Sequence, residues 1–484
     1  MNKTIRRASV FTLLLVVSLL VRATWVQFYD SKALADDKLN RRNAIEQYAN
    51  PLGNIIVGGE SITGSERTKG SDLAYKRTYK DGDLYSSVTG YSSQVYGATQ
   101  LEGIYKDVLD GTDNRLKNPL DTVTDKRADP GDVVTTIDPA VQKAAYKSLG
   151  DQKGAAVAVD PKTGKILSMV STPSYNPSDI SGSGSTDSKE WSSLLKDEEK
   201  PLVNRAMRQP LPPGSTFKLV VAAAALEDGL YGSADTRTES PNPYMLPGTT
   251  QPLKNESASA PCEDATIRTA LQYSCNNVFG KMAVDLGQDK VKAMAEKMGF
   301  NTEKLDVPVR ASESVYPSGM DKAQTALTGI GQFDVTATPL QMSMVSGAIA
   351  NGGELAAPHM VSQITDSGGD VLQSFDDADS QRVMSEDTAS QLQSAMETVV
   401  EKGTGTNARI SGADVGGKTG TAQHGENNSK TPYAWFTSYA KGSDGKEVAV
   451  AVIIESSSAA RSEVSGNGLA APIAKSMMSA ALDS

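Results

Sequence analysis

Histidine is nearly absent from this chain: His359 and His424 are the only two in 484 residues, far apart, with no cysteine or carboxylate at ligand spacing. That argues against a histidine-based catalytic triad and against a metal centre, and nothing in the sequence calls for another cofactor. Sustained basic stretches are missing as well. With 48 Lys and Arg against 58 Asp and Glu, the net charge is −10, and no nucleic-acid partner is expected. Cysteine is limited to Cys262 and Cys275, and only one run of the chain is long and strongly apolar near a terminus.

That run, from Ala8 to Val21, follows Lys3, Arg6 and Arg7 and is followed by Arg22 and the amphipathic Trp25-Val26-Gln27-Phe28-Tyr29. With Arg22 reaching back to the interface and Trp25 and Tyr29 lying in it, the stretch attains membrane-spanning length. Basic residues ahead of it place the N-terminus in the cytoplasm and the bulk of the chain outside. A cleaved signal peptide is the rival, with Ala33-Leu34-Ala35 as its processing site, but that site stands too far beyond the apolar run. An uncleaved single-pass anchor over 1–29 is therefore expected. Export puts Cys262 and Cys275 in an oxidising space, where a bridge between them is expected to stabilise by about 3 kcal/mol and to brace the segment before Asn276.

Residues 30–150 are polar and turn-rich and read as a stalk. The spacing of Leu101, Ile104, Tyr105, Val108 and Leu109 predicts one amphipathic helix stopped at Gly111, and short strands are expected around Tyr79 and Val88. The remainder, 151–484, reads as one α+β domain. A strand from Asp132 and a helix from Pro139 to Leu149 lead into it, and Ala155–Val159 and Ile166–Val170 make a hairpin at a sheet edge. Gly182 to Lys200 reads as a surface loop. Ala265 to Leu286 reads as helical, and Thr338-Pro339 opens a further helix that closes at Asn351-Gly352. Three strands, near 415–423, 433–440 and 447–454, and a helix near 469–481 complete it, giving an antiparallel sheet built from distant parts of the chain.

Chemistry is concentrated at Pro212-Pro213-Gly214-Ser215-Thr216-Phe217-Lys218. Two prolines and a glycine forbid helix, and an alanine-rich helix then begins beside Ser215. A helix N-terminus tolerates developing negative charge on that hydroxyl, and Lys218, one turn on, is placed to take its proton. Ser193/Lys196 shares the spacing, so the motif is not decisive alone. Two later elements complete the argument, through the order in which the three occur. Ser274-Cys275-Asn276 offers a hydroxyl and a carboxamide, and Lys418-Thr419-Gly420 puts a lysine on a strand, where Gly420 would let a substrate backbone approach. Lys162-Thr163-Gly164, Ser174-Tyr175-Asn176 and Ser465-Gly466-Asn467 repeat the patterns out of order or context.

The ordered set S-x-x-K, S-x-N, K-T-G resembles the signature of penicillin-binding proteins and class A β-lactamases. Asn204-Arg205-Ala206, Gly331-Gln332, Thr338-Pro339-Leu340-Gln341 and Ala434-Trp435-Phe436 are similar to strings of the same family, over roughly residues 130 to 482. The stalk resembles the short amino-terminal domain of class B penicillin-binding proteins. The resemblance implies a serine transpeptidase/β-lactamase-like fold, with a central antiparallel sheet and helices on both faces. It also implies a D,D-transpeptidase acting on peptidoglycan stem peptides and trapped by β-lactam antibiotics. Ser215 would be the nucleophile and Lys218 its base. Ser274 would relay a proton to the leaving group, and Asn276 would hold the substrate amide and position Lys218. Lys418 and Thr419 would grip the terminal carboxylate, and the N–H groups of Ser215 and Thr421 would form the oxyanion hole.

About 120 residues between membrane and catalytic domain are too few for the glycosyltransferase of a bifunctional protein. A β-lactamase is disfavoured by the anchor, the stalk and the lack of an E-x-x-L-N motif. A D,D-carboxypeptidase and a non-catalytic β-lactam sensor or scaffold remain alternatives. A polytopic glycan polymerase is a further candidate partner, through Leu13 to Leu20.

Overall fold

The computed structural model describes residues 3–30, 41–69, 71–117, 127–375, 379–425, 429–459, 461 and 463–484. At the N-terminus, helix α1 (Lys3–Phe28) runs 26 residues with no buried side chain. At 1.5 Å per residue it is about 39 Å long, enough to cross a bilayer's hydrocarbon core. Arg22 meets Asp30 at 3.3 Å near its end. The alternative processing site at 33–35 lies outside the described residues.

The stalk carries a sheet of five strands in the order Val371–Ser374, Val361–Thr365, Asp132–Thr135, Ile55–Val57, Glu60–Ser61. Its first two strands come from the segment that the sequence reading assigns to the catalytic part, so chain order alone does not separate the two regions. Arg77 and Glu102, both buried, meet at 2.6 Å, and Arg77 also donates to Gly53 O at 2.7 Å.

Three local expectations for the chain differ from the structure. Val88 lies not on a strand but in the helix Gly82–Thr89, fully buried, because that helix packs on the strand Ile166–Thr172, with Ser87 Oγ donating to Met169 O at 2.6 Å. The helix expected through Leu101 and Leu109 is two short ones, Gln100–Ile104 and Lys106–Leu109. Its axis breaks at Tyr105, where ψ is 22°, and Ile104 is left 53 % exposed. The expected loop at 182–200 holds the helix Ser185–Lys196, pinned by Asp187, which accepts from Gly182 N, and by Trp191 stacked on Tyr96 at 4.5 Å. Trp191 also meets Tyr91 edge-on at 5.5 Å, and these aromatic contacts outweigh a polar composition there.

The main sheet consists of β1 (Lys153–Val159), β2 (Ile166–Thr172), β3 (Ala413–Ala422), β4 (Tyr433–Gly442) and β5 (Glu447–Ser456), all antiparallel, in the order β3-β4-β5-β1-β2. Strand periodicity divides β5 between two cores. Val448, Val450, Val452 and Ile454 face the layer of α2 (Pro139–Leu149) and the C-terminal helix Ala471–Asp483. Ala449, Ala451 and Ile453 face the opposite layer, which contains α3 (Lys218–Glu227) and α5 (Pro339–Ala350). Helix α5 is buried on every side, and its polar Gln341, Ser343 and Ser346 bond to the carbonyls of Met298, Leu340 and Met342. Strand β3 is the sheet edge nearest Ser215, so its outer backbone groups are not taken by another strand of this sheet.

Candidate active site

The backbone around Ser215 is set by glycine. Gly214 adopts φ +55° and Gly331 φ +67°, and Gly214 N–H donates to Gly331 O at 3.0 Å. A Cβ on Gly331 would lie 2.0 Å from Gly214 O, so side chains are excluded from this contact. The turn Gly214–Phe217 then passes into α3 at Lys218. The alanines at 222–225 let α3 sink into the core, which holds Lys218 fully buried and Ser215 6 % exposed.

Ser274 occupies the break between the helix Ile267–Gln272 and α4 (Asn276–Leu286), at φ +57°. A serine in this conformation is unusual, and several bonds maintain it. Cys275 N–H donates to Ala270 O at 2.8 Å, Asn276 N–H to Asn255 Oδ1 at 2.6 Å, and Asn277 Nδ2 to Cys262 O at 2.7 Å. A disulfide joins Cys262 to Cys275. Replacing both cysteines by serine is expected to lower the stability of the folded protein by about 3 kcal/mol and to slow acylation, because the Ser274 turn loses its covalent tie. Chemical denaturation of the variant beside the oxidised wild type checks this, and equal midpoints would count against it.

Two buried lysines converge on Ser274. Lys218 Nζ donates to Ser274 O at 2.7 Å, to Asn276 Oδ1 at 2.7 Å and to Ser274 Oγ at 3.2 Å. Lys418 Nζ donates to the same Oγ at 3.0 Å and to Thr419 O at 2.8 Å. Burial holds the Lys218 ammonium well below its ordinary pKa, the Lys418 charge lowers it further, and the Glu256 carboxylate opposes both. Burial brings Lys418 down to about 7, again against Glu256. A neutral Lys218 keeps two N–H groups for the two shorter bonds and frees a lone pair for a hydroxyl proton.

Strand β3 pairs with β4 through Lys418↔Thr437, Thr419↔Phe436, Gly420↔Trp435 and Thr421↔Ala434. Lys418 is fully buried, and Thr419, 8 % exposed, has its hydroxyl 2.8 Å from Thr404 Oγ1. The space at Gly420 is needed by the protein itself: a Cβ there would lie 2.9 Å from Pro213 O and 3.0 Å from Thr216 Cγ2. Its glycine therefore serves the packing of the turn at Ser215 against β3.

The repeated patterns have ordinary structural uses. Ser193 and Lys196 lie on the exposed helix Ser185–Lys196, and Lys162-Thr163-Gly164 forms a hairpin turn. Ser174 Oγ pairs with Ser86 Oγ at 2.7 Å, and Ser465 Oγ accepts from Gly468 N–H at 3.0 Å. Sequence reasoning missed Asn255, whose side chain holds the Asn276 backbone, Phe279, whose ring lies 5.6 Å from Lys218 Nζ, and Glu256. Nothing in local spacing marks them, since each acts across the fold. It also missed Thr404, bonded to Thr419, for which the doublet Gly403-Thr404-Gly405 is a visible cue.

With this geometry in place, comparison with known proteins is informative. A family model described as penicillin binding protein transpeptidase domain matches residues 154–479, and one described as penicillin binding protein A dimerisation domain matches 52–133. The peptidoglycan D,D-transpeptidase PbpA of Mycolicibacterium smegmatis is 35 % identical over 494 residues, covering 100 % of this chain and 99 % of its own. PbpA of Mycobacterium tuberculosis is 35 % identical over 495 residues, with the same coverage of 100 % and 99 %. The ceftriaxone acyl-enzyme complex of penicillin-binding protein A from M. tuberculosis superposes with a TM-score of 0.84 at 33 % identity, over 90 % of this chain and 100 % of that one. Its penicillin G acyl-enzyme complex gives 0.81 at 33 % identity, over 90 % and 100 %.

Proposed function

The chain belongs to the penicillin-binding protein transpeptidase family and is a peptidoglycan D,D-transpeptidase inhibited by β-lactams, and on that premise we propose how its residues divide the reaction. Ser215 Oγ attacks the carbonyl between the two terminal D-alanines of a stem peptide while neutral Lys218 takes its proton. The N–H groups of Ser215 and Thr421 hold the oxyanion. The proton then passes through Ser274 Oγ to the departing D-alanine nitrogen, the C–N bond breaks, and an acyl ester remains on Ser215. An amine of a second stem peptide attacks that ester, forms the cross-link and regenerates the serine. Asn276 keeps Lys218 in place and faces the substrate amide. Thr419 donates to the terminal carboxylate, and the buried Lys418 supplies the compensating charge.

A single observation carries this division of labour: one hydroxyl, Ser274 Oγ, lies within hydrogen-bond reach of both buried lysines, at 3.2 and 3.0 Å. A proton can therefore leave Lys218 and reach the leaving group without crossing solvent.

The remaining features are read in the same way. Residues 1–29 are proposed as a single-pass anchor with a cytoplasmic N-terminus, 30–150 as a stalk and 151–484 as the catalytic domain. The stalk would lift the site away from the membrane surface, and α1 would leave an apolar surface for a polytopic glycan polymerase. Supplying two stem peptides, one as donor and one with a free side-chain amine, separates the readings by product. Cross-linked dimer with release of one D-alanine supports transpeptidation. Release of D-alanine without dimer would instead establish a carboxypeptidase, and no release at all a sensor or scaffold.

A further inference from the structure

The link between α6 (Glu386–Lys402) and β3 contains Gly403-Thr404-Gly405, which takes no part in the reaction as derived above. Thr404 Oγ1 lies 2.8 Å from Thr419 Oγ1. Its backbone N–H donates to Gln272 O at 3.1 Å, and Gln272 Nε2 returns a bond to Lys402 O at 3.1 Å. Gln272 stands just before the Ser274 turn, and Thr419 directly follows Lys418. The link is pressed against Gln272 on one side and against Phe436 of β4, the strand partner of Thr419, on the other. A Cβ on Gly403 would lie 2.7 Å from Gln272 O, and one on Gly405 3.2 Å from Phe436 Cε2. Thr404 is thus held by its backbone to the serine turn and by its hydroxyl to the lysine strand.

A hydroxyl has one proton to give and two lone pairs to receive. When Thr419 gives its proton to a substrate carboxylate, the bond between the threonines has to run from Thr404 to Thr419. We propose that Thr404 is a positioning residue for recognition of the substrate's terminal carboxylate, donating to Thr419 Oγ1 and so directing the Thr419 proton into the cleft. The inference rests on the reading of Thr419 as the carboxylate's donor. Hydrogen bonds to an ionised acceptor are roughly twice as strong as those to a neutral one, so the contribution of Thr404 is specific to an ionised terminus.

The test is the acylation rate constant of the full-length protein in detergent with penicillin G, divided by that with its methyl ester. The ratio is internal to each variant, so a partly unfolded preparation does not distort it. Thr404→Val is expected to lower the ratio about tenfold, and Thr404→Ser to keep it within about twofold of wild type. Thr419→Val should lower it too, and adding Thr404→Val to that variant should change it little further, because the two hydroxyls act in series. A ratio unmoved by Thr404→Val but lowered by Thr419→Val would overturn the inference and leave the reading of Thr419 standing. A ratio unmoved by Thr419→Val would overturn that reading, and the inference with it.

Discussion

Ser215→Ala is expected to abolish covalent capture of penicillin. Intact-protein mass spectrometry of the wild-type protein should show one adduct with the full mass of the drug, because the amine released on opening a β-lactam ring stays tethered to the acyl group. Peptide mapping should place that adduct on Ser215. In the variant, acylation should fall by at least about 10⁴-fold, the scale of losing a covalent nucleophile whose partners work only with it. The change is local. Ser215 lies in a turn fixed by the Gly214–Gly331 contact and by the helix that follows, none of which depends on its hydroxyl. An adduct of equal yield in the variant would sink the assignment, and a wild-type adduct that clears within seconds would mark a β-lactam hydrolase.

Lys218→Met should cost about 10³-fold in acylation rate, within the range for a positioned general base. The pH dependence gives its direction independently. With Lys218 proposed to work as the neutral amine, the wild-type rate should rise with pH through its lowered pKa. With Lys418 proposed to work as the cation, the rate should fall again as pH passes about 7, where burial has brought that group. The two limbs belong to a coupled pair. Lys418 is itself one cause of the low Lys218 pKa. Lys418→Gln should therefore remove the alkaline limb and also move the acid limb to higher pH, since the neighbouring positive charge is gone. Stopped-flow acylation between pH 5 and 9 reads both limbs, and an acid limb unmoved by Lys418→Gln would break the proposed link between the lysines.

Much of this was legible in the chain because it is local. Proline and glycine before an alanine-rich run place a helix start at Ser215 whatever surrounds it, and the structure begins α3 within three residues of it. Thr338-Pro339 caps α5 from Pro339 to Ala350 for the same reason, with Thr338 Oγ1 accepting from Gln341 N–H at 3.1 Å. The three late runs read as strands all appear, over Ala413–Ala422, Tyr433–Gly442 and Glu447–Ser456. Where local pattern was weak, neighbours decided. Val88 joins a helix because the strand Ile166–Thr172 gives its apolar side a partner. Trp191 draws a serine-rich segment into a helix by stacking on Tyr96.

The chain by itself determined which residues are candidates for the chemistry, since a nucleophile, a base and a lysine-bearing strand are matters of residue type and of structure within one turn or strand. Tertiary structure alone decided their electrostatics and their neighbours. Burial of Lys218 and Lys418 against one serine turn removes the water that would keep both charged, and no spacing in the sequence encodes that. Likewise, Asn255, Phe279 and Thr404 stand beside the site only because the sheet and helices bring together segments that are distant along the chain.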